Sequence, residues 1–257
     1  HSGHNHSHDH NHTAAKEPAK NLMALYVSED HSNKLANLMV QDYDGRIVPL
    51  HTLSDEILRK IHRDNFFTDG DHKYNAIQTV LSMHMTPEAW MEKKVIYVSK
   101  ALREALGMKE DQKHASFLEL LDEKTGDFKL ANEYQLAHQK LDKVKNEFDK
   151  QLIKLVERFQ VFSEVQLWQF MRLIPVRNDA KSTWFQPMAQ EVMDNEPVLF
   201  GETMEYFKQV FQAMGTKDYS KADEALAKLM ASQRKVAGSI APPLSKIKME
   251  VSYNKMK

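Results

Sequence analysis

The chain has 257 residues, 42% hydrophobic and 28% charged, with 35 basic residues against 36 acidic and a formal net charge of −1. That length builds one large core or two small ones, and the balanced charge lacks the basic excess of a nucleic-acid binder while the apolar content is too high for a disordered chain. The absence of cysteine excludes disulfides, thiolate metal sites and a cysteine nucleophile, and no apolar run approaches the ~20 residues that cross a bilayer; the sequence reads as a soluble piece.

Residues 1–20 read as a disordered histidine-rich tail or linker, because HSGHNHSHDHNHT holds His4, His6, His8, His10 and His12 with no apolar anchor. Such a run gathers borderline divalent ions, but it lacks the fixed second shell of a selective site, so a purification sequence or solvated linker is the plainer reading. Residues 21–245 read as one mainly helical domain. Asn21 to Val40 has helical spacing through Leu22, Leu25, Leu35 and Leu38, with Ser28 or Ser32 as a cap between two pieces. Val40, Tyr43, Ile47 and Leu50 flank Asp44-Gly45, which predicts a tight hairpin. Thr52 or Ser54 then caps a helix whose Leu53, Ile57, Leu58 and Ile61 share one face.

Arg63 to His72 reads as a loop, Tyr74 to Met85 as a helix, and Thr86-Pro87-Glu88 as the start of a short one ending near Trp90 or Met91. Val95 to Val98 is a brief strand, Lys100 to Leu106 a helix closed by Gly107, and Ser116 to Leu121 another helix. Asp122 to Glu133 superficially resembles a calcium loop, but Lys124 and Gly126 occupy ligand positions and a plain turn is the reading. Leu130 to Met171 is the backbone helix of the domain, with Lys143 as the place where it would break. Arg172 to Pro175 is extended, and Asn178 to Gln186 is a polar connection closed by Pro187. Pro197 to Met214 and Tyr219 to Val236 form an antiparallel helix pair, and Gly238 to Pro243 stops it. Lys246 to Tyr253 alternates Ile247, Met249 and Val251 with polar neighbours, so residues 246–257 read as a strand pairing with the Val40 or Val95 strand, then a lead-in to a membrane segment outside the chain. The fold class is mainly α with a few short β-strands.

The wording QDYDGRIVPLHTLSDEILRK from Gln41, with Asp44, Gly45, Arg46, Pro49, Thr52 and Leu53 as its structural signature, resembles the ResB/CcsA fusion proteins of Bacteroidetes-type bacteria, which serve System II cytochrome c biogenesis. The resemblance continues through AIQTVLSMHMTPEAW from Ala76, FDKQLIKLVERFQVFSEVQLWQFMRLIP from Phe148 and KIKMEVSYNKMK from Lys246, and rests on order and spacing rather than on a catalytic motif. It implies a non-catalytic, extracytoplasmic domain on the periplasmic face of the cytoplasmic membrane, a scaffold or apocytochrome-facing surface. Its partners would be the membrane-spanning parts of the same fusion protein and apocytochrome c, with no nucleic acid. Haem would be handled by the parent protein. The family's membrane histidines and tryptophan-rich haem motif have no counterpart here, since Trp90, Trp168 and Trp184 stand singly.

The residues themselves offer weaker candidates. Met83, His84, Met85 and Met91 are ligand types for cuprous copper, and with the tail they define the alternative of a periplasmic copper- or zinc-binding protein; adjacent helical residues diverge by about 100 degrees and thioethers commonly fill cores, so packing is the plainer reading. His51, inside the signature, is a conceivable haem ligand, weighed against a helix-entry residue with a local hydrogen bond. His62, His72, His114 and His138 are scattered without HExxH spacing, no nucleophile elbow or phosphate loop occurs, and adjacent carboxylates such as Asp55-Glu56 read as surface, so no catalytic residue is assigned. Arg46, Arg158 and Arg172 read either as a haem-propionate or peptide-carboxylate site or as internal ion pairs fixing the hairpin against the helix.

Overall fold

The computed structural model describes residues 23–177 and 183–256; the histidine tail and most of the polar connection after Val176 lie outside them. A short helix α1 (Glu29–Leu35) leads into the hairpin of β1 (Met39–Gln41) and β2 (Ile47–Pro49), which hands directly to α2 (Leu50–His62). A second hairpin, β3 (Phe66–Asp69) and β4 (His72–Asn75), precedes α3 (Ala76–Met85) and α4 (Pro87–Trp90). Then come β5 (Ile96–Tyr97), α5 (Lys100–Arg103), β6 (His114–Ala115), α6 (Ala131–Gln139) and α7 (Glu147–Gln166). The chain ends with β7 (Ile174–Pro175), β8 (Trp184–Phe185), α8 (Gln190–Asn195), α9 (Pro197–Thr216), α10 (Ser220–Ala237) and α11 (Leu244–Lys255). The expected fold class holds: helices dominate, and the described strands form antiparallel pairs rather than one sheet.

Hydrophobic spacing explains the core. In α2, Leu50, Leu53, Ile57, Leu58 and Ile61 recur at three- and four-residue steps and are all nearly inaccessible. They pack with α3 and α7, whose Leu152, Leu155, Phe162 and Val165 are fully buried. The expected pair α9 and α10 adds Leu199, Tyr206, Val210, Leu226 and Leu229. A smaller cluster of Met39, Trp184, Ala237 and Ile247 lies where β1, β8 and α11 meet.

Several local expectations are corrected. The helix read from Asn21 to Val40 begins outside the described residues; within them it is only α1, capped by Ser28 Oγ accepting from the His31 amide at 3.2 Å, and Leu38 already leads into a strand. Neither Thr52 nor Ser54 caps α2, which starts earlier at Leu50 behind Pro49; Thr52 sits inside the helix and donates to Glu250 at 2.8 Å. The supposed loop from Arg63 is instead the β3–β4 hairpin turning at Gly70, whose φ of +60° suits the reversal. Ser116 to Leu121 holds just a 3-10 turn at Leu118–Leu120. The long helix breaks as expected near Lys143, where Asn146 restarts it with a reciprocal cap to Asp149, but it stops at Gln166, short of Met171.

The largest correction is at the C-terminal end. Lys246 to Tyr253 is not a strand but lies within helix α11. Alternation misled because Ile247 and Val251 stand four residues apart and are both buried, while Met249 between them is 67% exposed. Pro242 and Pro243 precede the first turn, and proline suits that place. The strand partners foreseen for it are taken: β1 pairs with β2 and β5 with β6.

Candidate functional site

The hairpin that organises the fold also builds an open cleft. Gly45 has φ +82°, and Asp42 ties the turn by accepting from the amides of Asp44 (3.0 Å) and Arg46 (2.8 Å). Arg46 returns its guanidinium to the same carboxylate at 2.8 Å, so its ion pair is internal to the hairpin, not between hairpin and helix as expected. The hairpin is anchored sideways: the Gln41 amide donates to the Arg172 carbonyl at 2.8 Å, and Gln41 Oε1 accepts from the Trp184 amide at 2.8 Å. From α10, buried Gln233 donates to the carbonyls of Met39 (2.7 Å) and Leu173 (2.6 Å).

This anchoring sets Tyr43 against the end of α7. A cleft of about 410 Å³ opens there, lined by Tyr43, Glu164, Leu167, Trp168, Arg172 and Met188 among others. Tyr43 donates to Glu164 at 2.8 Å, and burial first, then that carboxylate, hold its hydroxyl protonated. The Arg172 guanidinium lies 5.6 Å from the Tyr43 ring centre, a cation–π contact, and no carboxylate among the described residues pairs with it. Leu167 and Met188 are 64% and 55% exposed, an apolar rim beside that cation. Trp168 has φ +63°, a conformation uncommon outside glycine, and it turns the chain out of α7.

Trp168 also roofs His84, with ring centres 3.7 Å apart and Phe170 and Phe207 closing the sides. His84 Nδ1 donates to the Val165 carbonyl at 2.9 Å, and Nε2 is buried without a partner. Burial lowers its pKa to about 4, so the ring is neutral with a bare lone pair on Nε2. Of the residues grouped with it, Met83 is in the core, Met85 and Met91 are half-buried, and Trp90 is buried donating to Ser82 at 3.0 Å. No three His, Asp or Glu side chains among the described residues are grouped to hold a metal.

His51 is the second residue of α2, and its Nδ1, 3.4 Å from Asp55 Oδ2, makes no hydrogen bond. His51 is the helix-entry residue expected, and its local partner is the Asp55 carboxylate, met as a charge contact rather than a hydrogen bond. Burial lowers the His51 pKa and raises that of Asp55, and both line a cavity of about 300 Å³ with Asn33, Asn75 and Lys255. Thr52 and Leu53 serve packing and the α11 contact, and Pro49 pairs with Met39 in the hairpin. Arg158 is buried with Nε donating to the Lys60 carbonyl at 3.1 Å and its head 5.3 Å from the Tyr97 ring centre, and it makes no ion pair.

No family model matches the chain. It is 27% identical over 234 residues to Protein NrfI of Wolinella succinogenes. The match takes in 89% of this chain and 25% of that protein, so the chain spans about a quarter of the length of the curated relative it matches. The cleft lies inside the two segments quoted for the resemblance, the hairpin and the end of α7, plus the stretch to Met188. Sequence reading singled out Arg172 but missed Tyr43, Trp168 and Met188 as its neighbours. The one available signal was the polar interval Gln166 to Gln169 ending an amphipathic helix around an unusually placed tryptophan.

A buried polar cluster escaped sequence reading altogether. His31 Nδ1 lies 2.7 Å from Asp223 Oδ1 and Nε2 lies 3.1 Å from the Tyr206 hydroxyl, with Lys34 closing on the other Asp223 oxygen. Tyr219 accepts from the Ser28 amide at 3.0 Å. Tyr206 is 1% exposed, and the cluster joins α1 to α9 and α10.

Proposed function

We propose that this chain is a non-catalytic, extracytoplasmic part of a cytochrome c biogenesis protein, and that the Tyr43–Trp168–Arg172 cleft is the face it turns toward apocytochrome c. The observation that carries the reading is the similarity to Protein NrfI over nine tenths of the chain, which supports a role in cytochrome c maturation. The resemblance of the hairpin, α3, α7 and α11 segments to ResB/CcsA fusion proteins points the same way. No helix among the described residues is long and apolar enough to cross a membrane; the membrane-spanning parts of the parent protein would hold the domain at the periplasmic face.

The cleft suits a peptide carrying an apolar side chain beside a carboxylate. Leu167, Trp168 and Met188 give an apolar wall, and Arg172 gives a cation already partly desolvated by Tyr43. The parent protein would supply the haem, and the domain would guide the approach of the attachment segment.

A fluorescent peptide containing CXXCH, titrated into the purified chain by anisotropy, tests the surface. Saturable binding is expected, weakened roughly tenfold by Arg172→Gln and by Trp168→Ala. Deleting the segment from the full-length protein is expected to abolish cytochrome c maturation; normal maturation by a stably inserted deletion would sink the assembly role, and unchanged peptide binding in both variants would remove the cleft from it.

A further inference from the structure

Two histidines that chain order holds 52 residues apart meet on the wall of another cleft. His62 closes α2 and His114 opens β6, and their rings stack with centres 4.2 Å apart and planes inclined by 26°. His62 Nδ1 is 2.9 Å from the Val95 carbonyl oxygen, and His114 Nε2 is 3.0 Å from the His62 carbonyl oxygen. A carbonyl oxygen only accepts, so each of those nitrogens carries the proton. In the neutral rings the lone pairs therefore fall on His62 Nε2 and His114 Nδ1.

We propose that His62 and His114 form a two-imidazole site for a borderline divalent ion, copper or zinc, with water or a donor from elsewhere at its remaining positions. Histidines that ligate metals characteristically tie their second ring nitrogen to a carbonyl or carboxylate, which fixes tautomer and orientation. Both rings here are tied in that way, by backbone groups that cannot swing off. Two imidazoles at neighbouring positions round one ion place their donor nitrogens roughly 3–3.5 Å apart for bonds of ~2.0–2.1 Å, so binding requires the two stacked rings to tilt their free nitrogens toward a common point in the cleft. Both rings line a cleft of about 590 Å³, which leaves room for an ion and its waters.

Part of the surrounding charge is offset, while Lys113 and Arg103 still face the His114 ring. Lys93 reaches both oxygens of Asp69 at 2.8 and 2.7 Å, and Lys94 pairs with Glu119 at 3.0 Å. Lys73 instead lies over the Phe66 ring and remains a local cation. With two protein ligands and those cations nearby, the ion is held weakly and exchangeably, unlike a closed structural zinc. The site is separate from the histidine tail and from Met83–Met91, and it does not rest on the cytochrome reading.

The test is calorimetric titration of the full chain with Cu²⁺ and with Zn²⁺, after His1, His4, His6, His8, His10 and His12 are replaced by asparagine to silence the tail. One saturable equivalent is expected, copper binding more tightly than zinc. In NMR spectra substoichiometric Cu²⁺ should broaden the ring protons of His62 and His114 before those of other histidines. His62→Gln, whose amide keeps a donor for the Val95 carbonyl, and His114→Gln should each weaken binding roughly tenfold or more. His138→Asn, on the exposed side of α6, should leave it unchanged. Absence of saturable binding, binding that survives in both glutamine variants with melting temperatures near the parent's, or broadening that starts at other histidines would each overturn the site. The broadening is read on a chain with both rings intact, so a glutamine variant that fails to fold leaves the test standing.

Discussion

His84 carries the clearest pH dependence in the molecule. Its folded pKa, lowered to about 4 by burial, lies below the ordinary imidazole value of about 6.5. Below the unfolded value the unfolded chain takes up a proton that the native ring refuses, so stability is complete above about pH 6.5 and falls as the pH drops toward 4, by roughly 3 kcal/mol at the limit. Urea unfolding measured from pH 7.5 to 4 should show that loss, and His84→Leu should flatten the curve even as it forfeits the bond to Val165; an unchanged slope in the variant would refute the assignment. The turn residues divide in the same residue-by-residue way. Asp42 is buried and accepts from two amides and Arg46, so Asp42→Ala should cost about 2–3 kcal/mol. Arg46→Ala, whose side chain is 63% exposed, should cost well under about 1 kcal/mol. Thermal unfolding of the two variants separates them.

At the scale of elements, what sequence made legible was whatever depends on neighbours three or four residues away. The helices α2, α3, α9 and α10 and the hairpin at Asp44-Gly45 follow from apolar spacing and one turn dipeptide. Short polar elements did not follow, because β3 and β4 carry alternation too weak to distinguish from a loop, with two of their four facing pairs, Thr68–Lys73 and Asp69–His72, wholly polar. In α11 two periods compete over so few residues that alternation and helical spacing both fit. The burial pattern decides, and it makes a quantitative claim. Ile247→Ala, at a position 1% exposed, should cost about 2–4 kcal/mol, and Met249→Ala, at 67%, under about 0.5 kcal/mol. Denaturant midpoints for the pair check it, since a half-buried strand with Ile247 and Met249 on the same face would make the two costs similar.

Across the whole molecule, the contacts that assemble helices are those no local pattern announces. The cleft joins Tyr43 to Glu164 and Trp168 over more than a hundred residues, and Arg172 could be suspected from sequence only as a charge in an apolar setting. The His31–Asp223 bond spans 192 residues and had no sequence signal at all. Its physical role can still be derived. His31 is buried and its pKa is lowered by that burial, against the pull of Asp223, so the ring is neutral at pH 7 and acts as a hydrogen-bonded wedge between α1 and the α9–α10 pair. Asp223, whose pKa is lowered by its bonds to Lys34 and His31 against some burial, remains a carboxylate. Removing one partner strands the other in a poorly solvated place, so His31→Leu and Asp223→Leu should each cost about 1–3 kcal/mol. The double replacement should recover part of that sum, because both polar groups leave together. The loss should also be local. In native-state hydrogen exchange the amides of α1 and the first turns of α10 should lose protection while α2 and α7 keep theirs, because those two helices pack directly on each other through Leu53, Leu58, Leu152 and Leu155, away from the His31–Asp223 bond although within the same continuous core. Uniform loss of protection across all four helices would mean instead that the cluster is part of a single cooperative core.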